Sequence, residues 1–178
     1  MGFSPAGGLM MGTRSGDLDP GVLLYLIESE RLDPGELARL VNDEAGLRGV
    51  SETTSDMRAL LERRAGDARA AQAVELFCHV LRKHIGALTA VLGGIDTLVF
   101  MGGIGEHAAP IRAETCAGLE HLGVALDDDR NRSNAPVISR DDSRCTVRVV
   151  ATDEERMIAR HARDLLFKSA RNPSGTVR

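Results

Sequence analysis

Leu98-Val-Phe-Met-Gly-Gly-Ile-Gly-Glu-His107 (LVFMGGIGEH) is the stretch on which the fold turns. An apolar run stops at three glycines spread over four residues, and an acid then leads into a helical pattern. The run from Thr97 to Met101, bounded by Asp96 and Gly102, is nearly all apolar and short, as a buried strand of a parallel sheet is. A strand that ends in glycines and feeds a helix is a geometry that holds phosphate. Backbone N–H groups point into the turn, and the helix N-terminus adds partial positive charge. A tight strand-to-helix turn with no ligand uses the same residues, so both readings stay open at this point.

Two sharper patterns compete for the loop. The Walker pattern fails because no GK[ST] follows. The dinucleotide fingerprint fits better: Gly103-Ile-Gly105-Glu-His-Ala108 matches G-x-G-x-x-A, and Asp127 lies roughly 20 residues on. Against it, the apolar stretch before Asp127 is very short, and a large helical segment precedes the loop where a dinucleotide fold needs none.

Upstream, Asp19-Pro20 reads as a helix cap and first position, followed by Val22, Leu23, Leu26 and Ile27 on one face. Asp33-Pro34-Gly35-Glu36 is a second start with a capping box, and its helix runs through Leu37, Leu40 and Val41 to near Gly46. GLRGVSETTSD reads as a loop before a short helix over Met57–Arg64, which Gly66 closes. The longest pattern runs from Asp67 to about Leu92, with Ala73, Val74, Phe77, Val80, Leu81, Ile85, Leu88 and Val91 at helical spacing. Downstream, Pro110 opens a helix with Ile111, Cys116, Leu119 and Leu122 inward. Gly123 to Leu126 reads as a short strand, Asp127 to Arg144 as polar loop, Cys145 to Val150 as strand and Asp153 to Lys168 as a last helix. Helices alternating with strands define an α/β chain.

The chain has 178 residues, 43% hydrophobic and 27% charged, which is the composition of a globular domain. With no Trp, one Tyr and four Phe, the core must be built of Leu, Val, Ile, Ala and Met. A net charge of −4 without a basic stripe argues against a nucleic-acid partner, and no apolar run has the length of a bilayer span. Cys78, Cys116 and Cys145 are scattered, which points to a reducing cytoplasm and not to a disulfide frame.

Four separated motifs, MGTRSGDLDP (Met11–Pro20), TSDMR (Thr54–Arg58), VFMGGIGE (Val99–Glu106) and ATDEERMIAR (Ala151–Arg160), in this order and spacing resemble the carboxy-terminal part of the acetate kinase family. That family lies in the acetate and sugar kinase, Hsp70 and actin superfamily. The resemblance implies a partial actin-like (ribonuclease H-like) ATPase domain, with a parallel or mixed sheet flanked by helices and its opening strands missing. Residues 1–150 would be the second, nucleotide-binding domain, incomplete at its start. Residues 151–178 would be a tail whose helix packs on a first domain that this chain lacks.

The activity implied is reversible transfer of the ATP γ-phosphoryl group to acetate, giving acetyl phosphate and ADP, with Mg²⁺ (or Mn²⁺), in a cytoplasmic homodimer. By the same resemblance Arg14 stabilises the transferring phosphoryl group, a task for which a guanidinium fork suits the equatorial oxygens. Asp56, Met57 and Arg58 correspond to adenosine-side contacts, although Ser55 or Asp56 also suits a plain helix cap. Gly102, Gly103, Ile104, Gly105 and Glu106 correspond to the nucleotide loop. Glu154 corresponds to the acidic metal residue, although a first-turn Glu also suits the helix dipole.

This sequence departs from the family at His107, where Asn is commoner, and at Asp153, where Asn precedes the metal Glu. The acetate-binding arginine, the catalytic aspartate, the transition-state histidine and an HLGNG loop belong to family segments upstream of Met1. Three expectations follow: no acetate kinase turnover by this chain alone, an unpaired sheet edge, and poor packing of the last helix. Propionate or butyrate as acceptor, a non-catalytic nucleotide-binding or dimerisation module, and an NAD-binding half-domain that uses Asp127 remain the alternatives.

Overall fold

Short polar side chains start most of the helices. The computed structural model describes residues 4–171, apart from the side chains of residues 154 and 168–171. Helix α1 (Pro20–Glu28) opens on Asp19, which accepts from the Gly21 N–H. Helix α2 (Pro34–Arg39) opens on Asp33 with a reciprocal capping box to Glu36. A π-helical turn (Leu40–Glu44) follows, then α3 (Gly46–Ser51), α4 (Met57–Arg63, capped by Asp56) and α5 (Ala68–Leu92, capped by Asp67 and closed by Gly93). Strand β1 (Thr97–Phe100) leads into α6 (Gly102–His107) and α7 (Ala109–Cys116). A 3₁₀ turn (Glu120–Leu122), α8 (Asp128–Arg132, capped by Asp127), strand β2 (Thr146–Val149) and α9 (Glu154–Arg171) complete the order.

The two strands run parallel, with Thr97 opposite Thr146 and Phe100 opposite Val149. The Val150 N–H donates to the Phe100 carbonyl at 2.9 Å and extends the ladder past its end. Among the described residues β1 has β2 as its only strand partner, so its other edge is open. The sheet packs on Phe100, Cys116, Leu119, Val124, Ile138, Cys145 and Val147. A second apolar cluster joins Met10, Leu47, Met57, Leu60, Ala70, Ala73, Val74, Cys78 and Ile111, which is the seam between α3, α4, α5 and α7. Helix α5 serves both, with its first half in the helical seam and Leu81 and Ile85 against the sheet side.

Several sequence expectations change. The GLRGVSETTSD segment is not all loop, because α3 occupies its first half. Its early N–H groups, on Leu47 and Arg48, bond the carbonyls of Met11 and Gly12, partners far away in sequence. The glycine loop is itself one helical turn, α6, rather than a turn that precedes a helix. Asp127 to Arg144 carries α8 and two bridge pairs, Leu126 with Ser139 and Val137 with Arg148. Gly123 to Leu126 forms isolated bridges only. The apolar stripe of α1 does not reach a core: Val22 and Ile27 are exposed, and no α1 residue is buried. Leu88 and Val91 of α5 are exposed as well.

Candidate active site

A cleft of about 410 Å³ lies between the start of α4 and the helices that follow β1. Ser55, Asp56, Met57, Arg58 and Leu61 form one wall, and Gly103, Ile104, His107, Ala108 and Pro110 form the other. Two motifs that lie far apart in the chain therefore face one another across it.

The first wall is held from behind. Met57 and Leu60 are buried in the helical seam, which leaves Ser55, Asp56 and Arg58 outward. Asp56 caps α4 through the Arg58 N–H at 3.0 Å, so it fills the capping role and lines the cleft at once. The guanidinium of Arg58 meets Glu62 at 3.2 Å, one helical turn on, with both side chains largely exposed.

The second wall starts without a cap. Met101 gives α6 no side-chain hydrogen bond, in contrast to the aspartates that open α1, α2, α4, α5 and α8. First-turn N–H groups have no partner inside a helix. Those of Gly103 and Ile104 find no carbonyl outside it among the described residues. Oxygen atoms of a ligand suit such donors. Gly105 packs closely on β1: a Cβ there would stand 3.3 Å from the Phe100 carbonyl carbon.

Behind α6 sits Arg112, fully buried on α7. Its guanidinium donates to the carbonyls of Gly105 (2.8 Å), Glu106 (2.9 Å) and Asn131 (2.8 Å), and to the side-chain oxygens of Asn131 (2.8 Å) and Asn134 (2.5 Å). Burial pushes its pKa down from the ordinary arginine value. No carboxylate partners it among the described residues, so five neutral acceptors carry the cation. The chain end of α6 is thereby fixed while its cleft face stays open.

Of the residues expected at the nucleotide, Asp56, Met57, Arg58, Gly103 and Ile104 line the cleft. Gly102, Gly105 and Glu106 stand outside its lining. The Glu106 carboxylate faces Thr152, accepting from its N–H at 2.9 Å and its hydroxyl at 2.6 Å, and these bonds hold it below the usual carboxylate pKa. Arg14 is half-buried on the loop before α1. No carboxylate partners it among the described residues, and its Nη1 lies 4.0 Å from Met11 Sδ. Arg14 stands outside the cleft lining, although Gly12 of the same loop meets the first wall, where a Cβ would lie 3.3 Å from the Cβ of Ser55. The Glu154 side chain lies outside the described residues. Asp127 caps α8 through the Arg130 N–H at 2.9 Å and stands outside the lining of the cleft that holds Gly103 and Ile104.

Sequence reasoning gave no role to Arg112 or Thr152, and left Ser55, Leu61, Ala108 and Pro110 out of the site. For Arg112 a signal existed: it is the arginine one residue after Ile111, on the inward face of its helix. Thr152 stands in the ATDEERMIAR motif, but nothing local to it points to Glu106, 46 residues away.

The same architecture recurs in solved structures. The crystal structure of Porphyromonas gingivalis acetate kinase matches with a TM-score of 0.87 at 41% identity, over 93% of this chain and 43% of that one. A propionate kinase from Francisella tularensis matches with a TM-score of 0.84 at 37% identity, over 89% of this chain and 41% of that one. The fold is therefore that of a group of kinases whose named members include acetate and propionate kinases. The sequence narrows this further. The model described as the Acetokinase family matches residues 1–160. An acetate kinase of Solibacter usitatus is 48% identical over 165 residues, 90% of this chain and 40% of the relative. One from Methylocella silvestris is 47% identical over 170 residues, 96% of this chain and 42% of the relative. The chain belongs to the acetokinase family, and it spans about 40% of the length of the curated relatives it matches.

Proposed function

We propose that this chain supplies the nucleotide-binding side of an acetate kinase, which transfers the γ-phosphoryl group of ATP to the carboxylate of acetate and releases ADP and acetyl phosphate. The observation that carries the reading is the cleft. Its apolar contacts, Met57, Leu61, Ile104 and Ala108, suit a purine and ribose, while the uncapped N–H groups of Gly103 and Ile104 suit phosphate oxygens. Asp56 and Arg58 are proposed to orient the nucleoside end. Gly102, Gly105 and Glu106 are proposed to shape the loop from behind. Arg14, two residues from Gly12 and without a carboxylate partner among the described residues, is proposed to meet the transferring phosphoryl group, whose equatorial oxygens match its planar fork.

Mg²⁺ or Mn²⁺ enters this reading through Glu154. Among the described residues no three His, Cys, Asp or Glu side chains converge. Glu106 is engaged by Thr152, and Asp153 caps α9 through the Arg156 N–H. The described residues build no metal cage, so no step is derived through the ion. A homodimer belongs to the same reading, supported by the exposed Leu24 and Tyr25 of α1. A cytoplasmic location is supported by the three free cysteines. No described helix is long and apolar enough to cross a membrane. Residues 1–150 as nucleotide domain and 151–178 as a tail that returns to another domain is the proposed organisation, supported by the exposure of α9. Propionate as acceptor is a second reading, favoured by the propionate kinase among the structural matches.

The test is calorimetry of the chain against ADP and NADH. Saturable ADP binding that weakens about tenfold in Asp56→Ala, with no binding of NADH, is the expected result. Preference for NADH would overturn the reading. The chain alone is expected to bind ADP without forming acetyl phosphate.

A further inference from the structure

Two of the sequence motifs meet away from the cleft. Glu106 sits on α6, and Thr152 lies in the connector between β2 and α9. Although 46 residues separate them, Glu106 Oε1 accepts both the Thr152 N–H at 2.9 Å and the Thr152 hydroxyl at 2.6 Å. Two donors from one residue on a single charged oxygen fix the position and the rotation of the connector.

Little else holds this part of the chain. The ladder bond from Val150 N–H to Phe100 is the preceding anchor. Beyond Thr152 the Asp153 cap on Arg156 is local to the helix. Met157, Ile158, Leu165, Leu166 and Phe167 of α9 are exposed, at 49% to 72% of their surface, so the helix gains no hold from packing on the described residues. On its other side Glu106 is firmly fixed, since Arg112 binds its carbonyl and that of Gly105. Helix α6 is thus one short block. It presents Gly103, Ile104 and His107 to the cleft and holds the root of α9 with Glu106.

We propose that Glu106 is a positioning residue that ties the root of α9 to the wall of the cleft, so that occupancy of the cleft and order at the root are coupled. The inference rests on the nucleotide reading of the cleft and gives Glu106 a task other than touching the nucleotide. Coupling of this kind is reciprocal: a ligand that steadies α6 steadies Thr152, and loss of the Thr152 anchor removes that response.

Amide hydrogen exchange on the chain, followed residue by residue with and without ADP, tests it. Thr152→Val removes the hydroxyl donor with little change of shape, Thr152→Ser keeps it, and Glu106→Gln removes the charge. Without ligand, exchange at residue 152 and the first turn of α9 should rise about tenfold in Thr152→Val and Glu106→Gln, and stay near wild type in Thr152→Ser. With ADP, wild type and Thr152→Ser should slow at residues 152–157. Thr152→Val, which keeps the N–H bond to Glu106, should bind ADP within about twofold of wild type yet show less than about half the wild-type slowing there. Unchanged ligand-free exchange in both disruptive variants overturns the anchor. ADP protection of the root in Thr152→Val equal to that of wild type overturns the coupling. A wild-type chain that binds no ADP overturns the nucleotide reading and the coupling with it, while the ligand-free comparison still judges the anchor.

Discussion

Replacing Arg112 should unfold the chain far more readily than the loss of any surface arginine. Its side chain is fully buried and makes five hydrogen bonds, all to neutral acceptors. A hydrogen bond to a charged group contributes about 1.5–3 kcal/mol, and bonds that share one guanidinium do not add. In Arg112→Met the apolar stem is kept, but the Gly105, Glu106 and Asn131 carbonyls and the Asn131 and Asn134 side chains lose their donor. Relief from burying a cation offsets part of that loss. The net cost is about 3–5 kcal/mol, a large share of the stability of an ordinary domain. Lysine keeps the charge but is a point donor that cannot span Asn131 on one side and Gly105 on the other, so Arg112→Lys should cost about 2 kcal/mol. Urea unfolding followed by circular dichroism reads this directly. With a slope of about 2 kcal/mol per molar, the midpoint should fall by about 2 M for methionine and about 1 M for lysine. A methionine variant within about 0.3 M of wild type would show that the hub does not hold α6, and the rigidity ascribed to the cleft wall would go with it.

Glycine positions divide by what surrounds them. Gly46 has φ of +63°, and a Cβ there would run into the carbonyl oxygens of Met11 and Arg14, so Gly46→Ala should cost about 2 kcal/mol or more in the same urea assay. Gly86 lies within α5 with open space around it, and Gly86→Ala should stabilise by about 0.5–1 kcal/mol. Burial pushes the Cys78 thiol up to about 11 and the Cys116 thiol up to about 12, so neither should react with Ellman's reagent at pH 8 until the chain is unfolded. These raised values also set a pH dependence. The unfolded thiols lose their protons near pH 9 while the folded ones keep theirs, so the thiol contribution is flat below that value and stability should fall steadily from about pH 9 toward 11, as thermal unfolding at stepped alkaline pH would register.

The parts of this fold legible in sequence were those set by local chemistry. Asp19, Asp33 and Asp67 mark their helix starts because one carboxylate satisfies free N–H groups within a few residues. The α5 period survives over seven turns, long enough to outweigh Gly86. What stayed hidden depends on distant partners. Helix α3 carries Gly46 and Gly49 and looks like loop, yet Met11 and Gly12 supply the carbonyls that start it. Helix α6 is a helix in spite of its glycines, held at its end by Arg112 from the next helix. Helix α1 shows the opposite limit, since an apolar stripe says which face seeks a partner without saying that the partner is present. Both walls of the cleft were legible as motifs, because Asp56-Met57-Arg58 and Gly103-Ile104 stand contiguous in sequence. That they face one another was not, and neither was the turn of Glu106 toward Thr152.

The most direct measurement is an amide correlation spectrum of the labelled chain titrated with ADP. Saturable shifts confined to residues 55–61 and 103–110, with lesser ones near Arg14, are the result predicted for a nucleotide held between α4 and α6. Shifts centred elsewhere, or none up to millimolar ADP, would contradict the assignment of this cleft as the nucleotide site.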